Sequence, residues 1–122
     1  MKDTYRDLVA WQRAMVLVTQ VYRATEAFPR REIYGLTNQL RRAAVSVPSN
    51  IAEGKGRRAD GELRHFLSIA SGSLAELETC VLLARRFGYL NTPETEQLLE
   101  QASEVGRLVT GLANAIPVKA KR

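Results

Sequence analysis

Residues 46–58 read SVPSNIAEGKGRR, and the fold turns on whether this stretch is a loop or a helix. A phosphate-cradling loop needs a glycine where Ser49 stands and a hydroxyl where Gly56 stands, and it follows a strand. Both positions are wrong here, and the residues upstream are helical in pattern. Ile33, Leu36, Leu40, Ala44, Val47 and Ile51 recur at spacings of three and four, which lines them along one side of a helix. Pro48 interrupts that stripe, and an interior proline costs about 3 kcal/mol because it removes a backbone donor and crowds a carbonyl. Since Ile51 resumes in phase, the pattern predicts a helix that starts near Glu32, is kinked at Pro48 and stops at Gly54.

Working outward, three more segments carry helical periodicity. The first has two stripes, Leu8, Trp11, Met15, Val18, Tyr22, Thr25 and Ala10, Ala14, Leu17, Val21, Ala24, Phe28, and ends before Pro29. A face that wide implies more than one neighbour and so predicts oligomerisation. The third opens at Asp60 and runs Leu63, Leu67, Ala70, Leu74, Leu77, Val81, Ala84 to a stop at Gly88. The fourth has Thr92 as its cap and Pro93 in its first turn, with Leu98, Ala102, Val105, Val109, Leu112 and Ile116 as its buried face. Mid-helix Ser71-Gly72-Ser73 predicts close approach by another backbone, and the Ala/Ser-rich RRAAVSVPS stretch of the second helix is its expected complement. Short links between four such helices predict an all-α, up-down-up-down antiparallel four-helix bundle over residues 1–118, with 119–122 a frayed basic tail.

Composition narrows the possibilities. The chain has 122 residues, 45% hydrophobic and 25% charged, which suits one modest core. No apolar run approaches the ~20 residues of a membrane span, and the start MKDTYRDL lacks the apolar region of a secretory signal. A lone cysteine, Cys80, forms no internal disulfide and fits a reducing compartment, so cytoplasm is the expected location. The net charge of +5 lies wholly in residues 1–60, which hold 11 Lys/Arg against 6 Asp/Glu, whereas residues 61–122 hold 7 against 7. From Arg30 to Arg58 seven basic residues face only Glu32 and Glu53. Such a field attracts nucleic acid without sequence preference; a solvated helix surface is the other reading of the same charges.

Chemistry is sparse. Glu62 and His65 have the spacing of a bundle di-iron pair, yet His65 is the single histidine and both flank the apolar stripe, so no metal site is expected. Cys80 sits mid-helix among buried positions and reads as a small hydrophobe. Asn50 and Glu53 share a face and are expected to bond one another beside the backbone opened by Pro48. No catalytic constellation forms; the expectation is a protein that is not an enzyme and carries no cofactor.

The blocks LVAWQRA, FPRREIYGLTNQLRRAAVSVPSNIAEGKGRR and FLSIASGSLAELET resemble those of one family. Its members are four-helix bundles first noted as products of intervening sequences in bacterial 23S ribosomal RNA genes; the accessory variability determinant of diversity-generating retroelements is among them. The core is Ser46, Pro48, Asn50, Ile51, Ala52, Glu53 and Gly54. The resemblance implies a homopentamer without catalytic activity, and in retroelement members a basic face that binds nucleic acid and a reverse transcriptase. By that analogy Arg41, Arg42, Lys55, Arg57, Arg58 and Arg64 are the candidate nucleic-acid-binding residues. An adaptor that binds a protein such as a reverse transcriptase, without touching nucleic acid, is the alternative. Base-reading is expected to be weak, since Trp11, Tyr22 and Phe28 lie on apolar faces.

Overall fold

The computed structural model describes residues 4–118. Four α-helices follow one another: α1 (Val9–Thr25), α2 (Leu36–Gly56), α3 (Asp60–Arg86) and α4 (Thr92–Asn114), with 3-10 turns at Tyr5–Asp7 and Arg30–Glu32. Among the described residues there is no strand. Each helix packs on the two next to it in a square, α1 on α2 and α4, α3 on α2 and α4, and the α2–α3 contact is the most extensive. Pairings across the seams run antiparallel: Thr25 meets Arg41, Ser46 meets Ser73, Arg85 meets Thr92 and Arg13 meets Glu104. The predicted up-down-up-down four-helix bundle is therefore the fold. The tail at 119–122 lies outside the described residues.

One hydrophobic cluster draws on all four helices, with Leu17, Val21, Leu40, Val47, Ile51, Leu67, Leu77, Val81, Val105 and Val109 fully enclosed. Burying such side chains stabilises by about 1.5–3 kcal/mol each, which outweighs the weak intrinsic propensity of the valines for helix. α3 is long and apolar enough by length and composition to cross a membrane, which the count of uninterrupted apolar residues missed. Here its buried side packs against α2 and α4, and Glu76 and Glu78 stand within the apolar stretch.

Several boundaries differ from the periodic reading. α2 begins at Leu36, because Arg30–Glu32 form a separate 3-10 turn and Gly35 precedes the helix. Ile33, assigned to the buried stripe, consequently lies outside α2 and is half exposed. α2 also continues past Gly54 to Gly56, and its buried positions on either side of Pro48 stay in one stripe. Asp60 is the first helical residue of α3 rather than its cap, which is Ala59. The cap of α4 is Asn91, whose side chain accepts from the Glu94 amide while Glu94 accepts from Asn91. That reciprocal pair satisfies two orphan donors. α3 stops as expected at Gly88, whose φ of 82° lets the Tyr89 amide reach Ala84 and its own amide reach Arg85.

Candidate nucleic-acid interface

The six candidate residues fall into two groups, one on α2 and one around the α2–α3 corner. Arg41 and Arg42 sit in the second turn of α2. Lys55, Arg57, Arg58 and Arg64 surround the α2–α3 corner, with Lys55 about 20 Å along the helix from Arg42 at 1.5 Å per residue. The two groups are thus separate patches, which a linear list of arginines does not reveal.

Their partners divide them further. Arg57 is paired with Glu53, Nη2 to Oε2 at 2.6 Å, and its guanidinium lies 5.2 Å from the centre of the Phe66 ring. Arg64 donates from Nη2 to the Pro117 carbonyl at 3.2 Å. Arg41 is half-buried: its Nε donates to the Thr25 hydroxyl at 2.8 Å, and its guanidinium lies 4.5 Å from the Tyr22 ring centre. Of the six candidates only Arg57 has a carboxylate partner among the described residues. Arg41 and Arg64 are tethered by neutral groups and keep their charge. Arg42, Lys55 and Arg58 are neither paired nor tethered among the described residues.

The outer surface between α1 and α2 is an open groove. Its upper part encloses about 810 Å³ and is lined by Tyr22, Tyr34, Asn38, Arg41, Arg42 and Val45 among others. At Val45 it meets a second depression that includes Trp11, Met15, Val18 and Pro48. Of the two stripes on α1, the one with Ala14, Leu17 and Val21 is buried in the bundle, whereas Met15 and Tyr22 of the other remain over 40% exposed. The double stripe thus describes one core face and one open groove wall.

Tyr34 is the residue that the periodic reading missed. It is 92% exposed in the turn before α2. Its signal was the Tyr-Gly pair at 34–35, which ends helical pattern instead of continuing it. The turn is held by Glu32: Oε1 accepts from the Leu36 amide at 3.0 Å and Oε2 from the Tyr89 hydroxyl at 2.9 Å. The Leu36 amide first, then the Tyr89 hydroxyl, hold the Glu32 carboxyl below the usual carboxylate range.

The motif at 46–54 has a packing role. Asn50 does not bond Glu53; its Nδ2 donates to the Ser46 carbonyl and to Ser46 Oγ at 2.8 and 2.9 Å, and Glu53 faces Arg57. Ser46 Oγ in turn lies 2.7 Å from Ser73 Oγ, so the two small-residue stretches do face each other. The close approach, however, is at Gly54 and not Gly72. A Cβ on Gly54 would stand 3.0 Å from Phe66 Cβ and 3.1 Å from Leu63 Cδ1, while one on Gly72 would meet nothing within 4 Å. Glu62 and His65 are both exposed, and no cluster of three or more potential metal ligands occurs among the described residues. Burial, with a smaller contribution from Glu76, pushes the Cys80 thiol up, which disfavours the reactive thiolate.

The antiparallel square of helices, with basic side chains exposed in two patches on α2 and at the α2–α3 corner, defines a small all-α four-helix bundle. The chain belongs to the family of 23S rRNA-intervening sequence proteins, whose model matches residues 6–111. Among solved structures it is similar to a protein of unknown function from the S23 ribosomal protein family of Bacteroides thetaiotaomicron VPI-5482, at 17% identity and a TM-score of 0.81, covering 88% of this chain and 96% of that one. No curated protein matches it in sequence.

Proposed function

We propose that this protein is a non-enzymatic, oligomeric bundle that binds RNA or DNA without sequence preference through its basic first half. The observation that carries the reading is the set of uncompensated cations: Arg42, Lys55 and Arg58 lie on one helix and its exit without a carboxylate partner among the described residues. Each phosphate they neutralise would release condensed counterions, so affinity falls linearly in log–log form as salt rises. Titration of short RNA and DNA across salt concentrations tests this. Arg42→Glu and Arg58→Glu each weaken binding and flatten the salt slope; an affinity indifferent to salt and to both reversals discards the reading.

Assembly into a ring of like subunits is part of the proposal. Its support is the exposed apolar material on two separate flanks, Met15 and Val45 along the α1–α2 groove and Leu82 and Leu83 on α3. Exposed patches of this kind mark association surfaces. Sedimentation equilibrium that finds a monomer at micromolar concentration overturns it. The same flanks favour a second reading, a scaffold that docks a protein such as a reverse transcriptase. Purification without nuclease separates the two, since a nucleic-acid-free absorbance ratio favours the scaffold.

A further inference from the structure

The groove beside Arg41 and Arg42 holds something that charge neutralisation alone does not require: an aromatic ring standing in water. Tyr34 is the most exposed large hydrophobic side chain among the described residues. Its turn is nevertheless anchored, because Glu32 ties the Leu36 amide and the Tyr89 hydroxyl together beneath it. Arg41 is equally fixed in place by Thr25 and Tyr22, which leaves its two Nη groups for another acceptor. No carboxylate lines this upper part of the groove, Glu53 bordering only the lower depression, while Asn38 and Thr37 add an amide and a hydroxyl at its wall. Its volume of about 810 Å³ lies within the range of about 300–1,000 Å³ usual for small-ligand clefts.

Resting on the nucleic-acid reading, we infer that this groove is a stacking subsite for one nucleotide of a single-stranded RNA or DNA, with the base on the Tyr34 ring and the adjoining phosphates on Arg41 and Arg42. Stacking on an exposed aromatic is tolerant of base identity because every base has a π-face, and an arginine already aligned on a tyrosine adds a charged plane at low entropic cost. A duplex keeps its bases stacked on each other and cannot use Tyr34. The site therefore prefers unpaired strands, which the basic patches alone do not.

The test uses the full chain with a short oligouridylate carrying one iodouridine, its deoxy counterpart, and the same sequence annealed to its complement. Photocrosslinking maps to Tyr34, and single strands bind more tightly than the duplex. Tyr34→Ala weakens single-strand binding about 5- to 150-fold, the range expected for the loss of one stacked base. Its salt slope is unchanged and Tyr34→Phe restores affinity, whereas Arg42→Ala lowers the slope by about 1. Comparison of the ribose and deoxyribose arms assigns the strand type. Circular dichroism verifies that Tyr34→Ala is folded. Salt-dependent binding with crosslinks elsewhere and Tyr34→Ala indistinguishable from the parent overturns the subsite and leaves the broader reading standing. Absence of salt-dependent binding in the parent removes both. A Tyr34→Ala protein whose subunit number changes while its affinity per assembled particle does not shows that the groove is a contact between copies, and overturns the subsite as well.

Discussion

Along α2, the side turned to α3 and the side shared with α1 are packed on opposite plans. Toward α3 the side chains shrink: Ser46 and Gly54 let the helices close until Phe66 and Leu63 crowd the Gly54 backbone and Ser46 reaches Ser73. Toward α1 the side chains are large and the outer rim stays open, with Tyr22, Val45 and Met15 exposed. A helix that is immobilised on one side can present bulky and charged groups on the other without losing its place. Rigid support beneath an open groove is what a recognition surface requires.

That contrast can be broken most sharply at Gly54. Gly54→Leu inserts a side chain where even a Cβ has only 3.0 Å, and overpacking of this type costs about 3 kcal/mol. The expected result is a clear drop in the denaturant midpoint. Gly72→Leu on α3, where a Cβ meets nothing within 4 Å, instead holds stability or raises it by up to about 1 kcal/mol, because leucine favours helix over glycine. At the next level stands the serine pair. Ser46→Ala or Ser73→Ala alone destabilises by about 1 kcal/mol, and a double-mutant cycle returns a coupling of about 0.5–1.5 kcal/mol. In the groove the same measurement moves little: Val45→Ser shifts unfolding of the monomer by less than about 0.5 kcal/mol. If Val45→Ser rivals Gly54→Leu in cost, the groove is part of the core and the contrast fails.

The smallest effect belongs to Glu32, beneath the groove. Its carboxyl is held below the ordinary 4.5, so its bonds contribute fully above that pH and are lost as pH falls through the lower folded-state value. Glu32→Gln therefore lowers the neutral plateau slightly, toward the stability the parent keeps in acid, and so flattens the acid limb of the stability–pH curve. An unchanged acid limb shows that the carboxylate does not hold the turn.

How legible was this in the amino acids? The buried face of α3 was read almost residue for residue, because Leu67, Leu74, Leu77 and Val81 repeat at helical spacing with no competing signal. The Ser46–Ser73 meeting was also anticipated, since small residues on two helices mark close approach. The choice between Gly54 and Gly72 was not. Both are helical glycines, and which one faces a neighbour depends on how far α2 and α3 slide past each other. The partition of the basic residues was equally hidden. Arg57 and Arg58 are adjacent and alike in sequence, yet helical spacing places only Arg57 against Glu53. The reading that few aromatics are free for stacking weighed Trp11, Tyr22 and Phe28 and passed over Tyr34, because the helical stripe was carried one turn too far toward Glu32 and the exposed turn at 33–35 went unread.

Periodic apolar side chains, glycine and proline punctuation and the uneven spread of charge determined by themselves that this chain makes four helices, that they pair as antiparallel neighbours, and which half is basic. These follow from local geometry and from hydrophobic burial, which act on patterns within a few residues. Tertiary packing decided which of α1's two stripes is core, which glycine admits a neighbouring helix, and which arginines remain without a partner. Those outcomes depend on the rotation and offset of one helix against another, a property of pairs of surfaces that no single segment encodes.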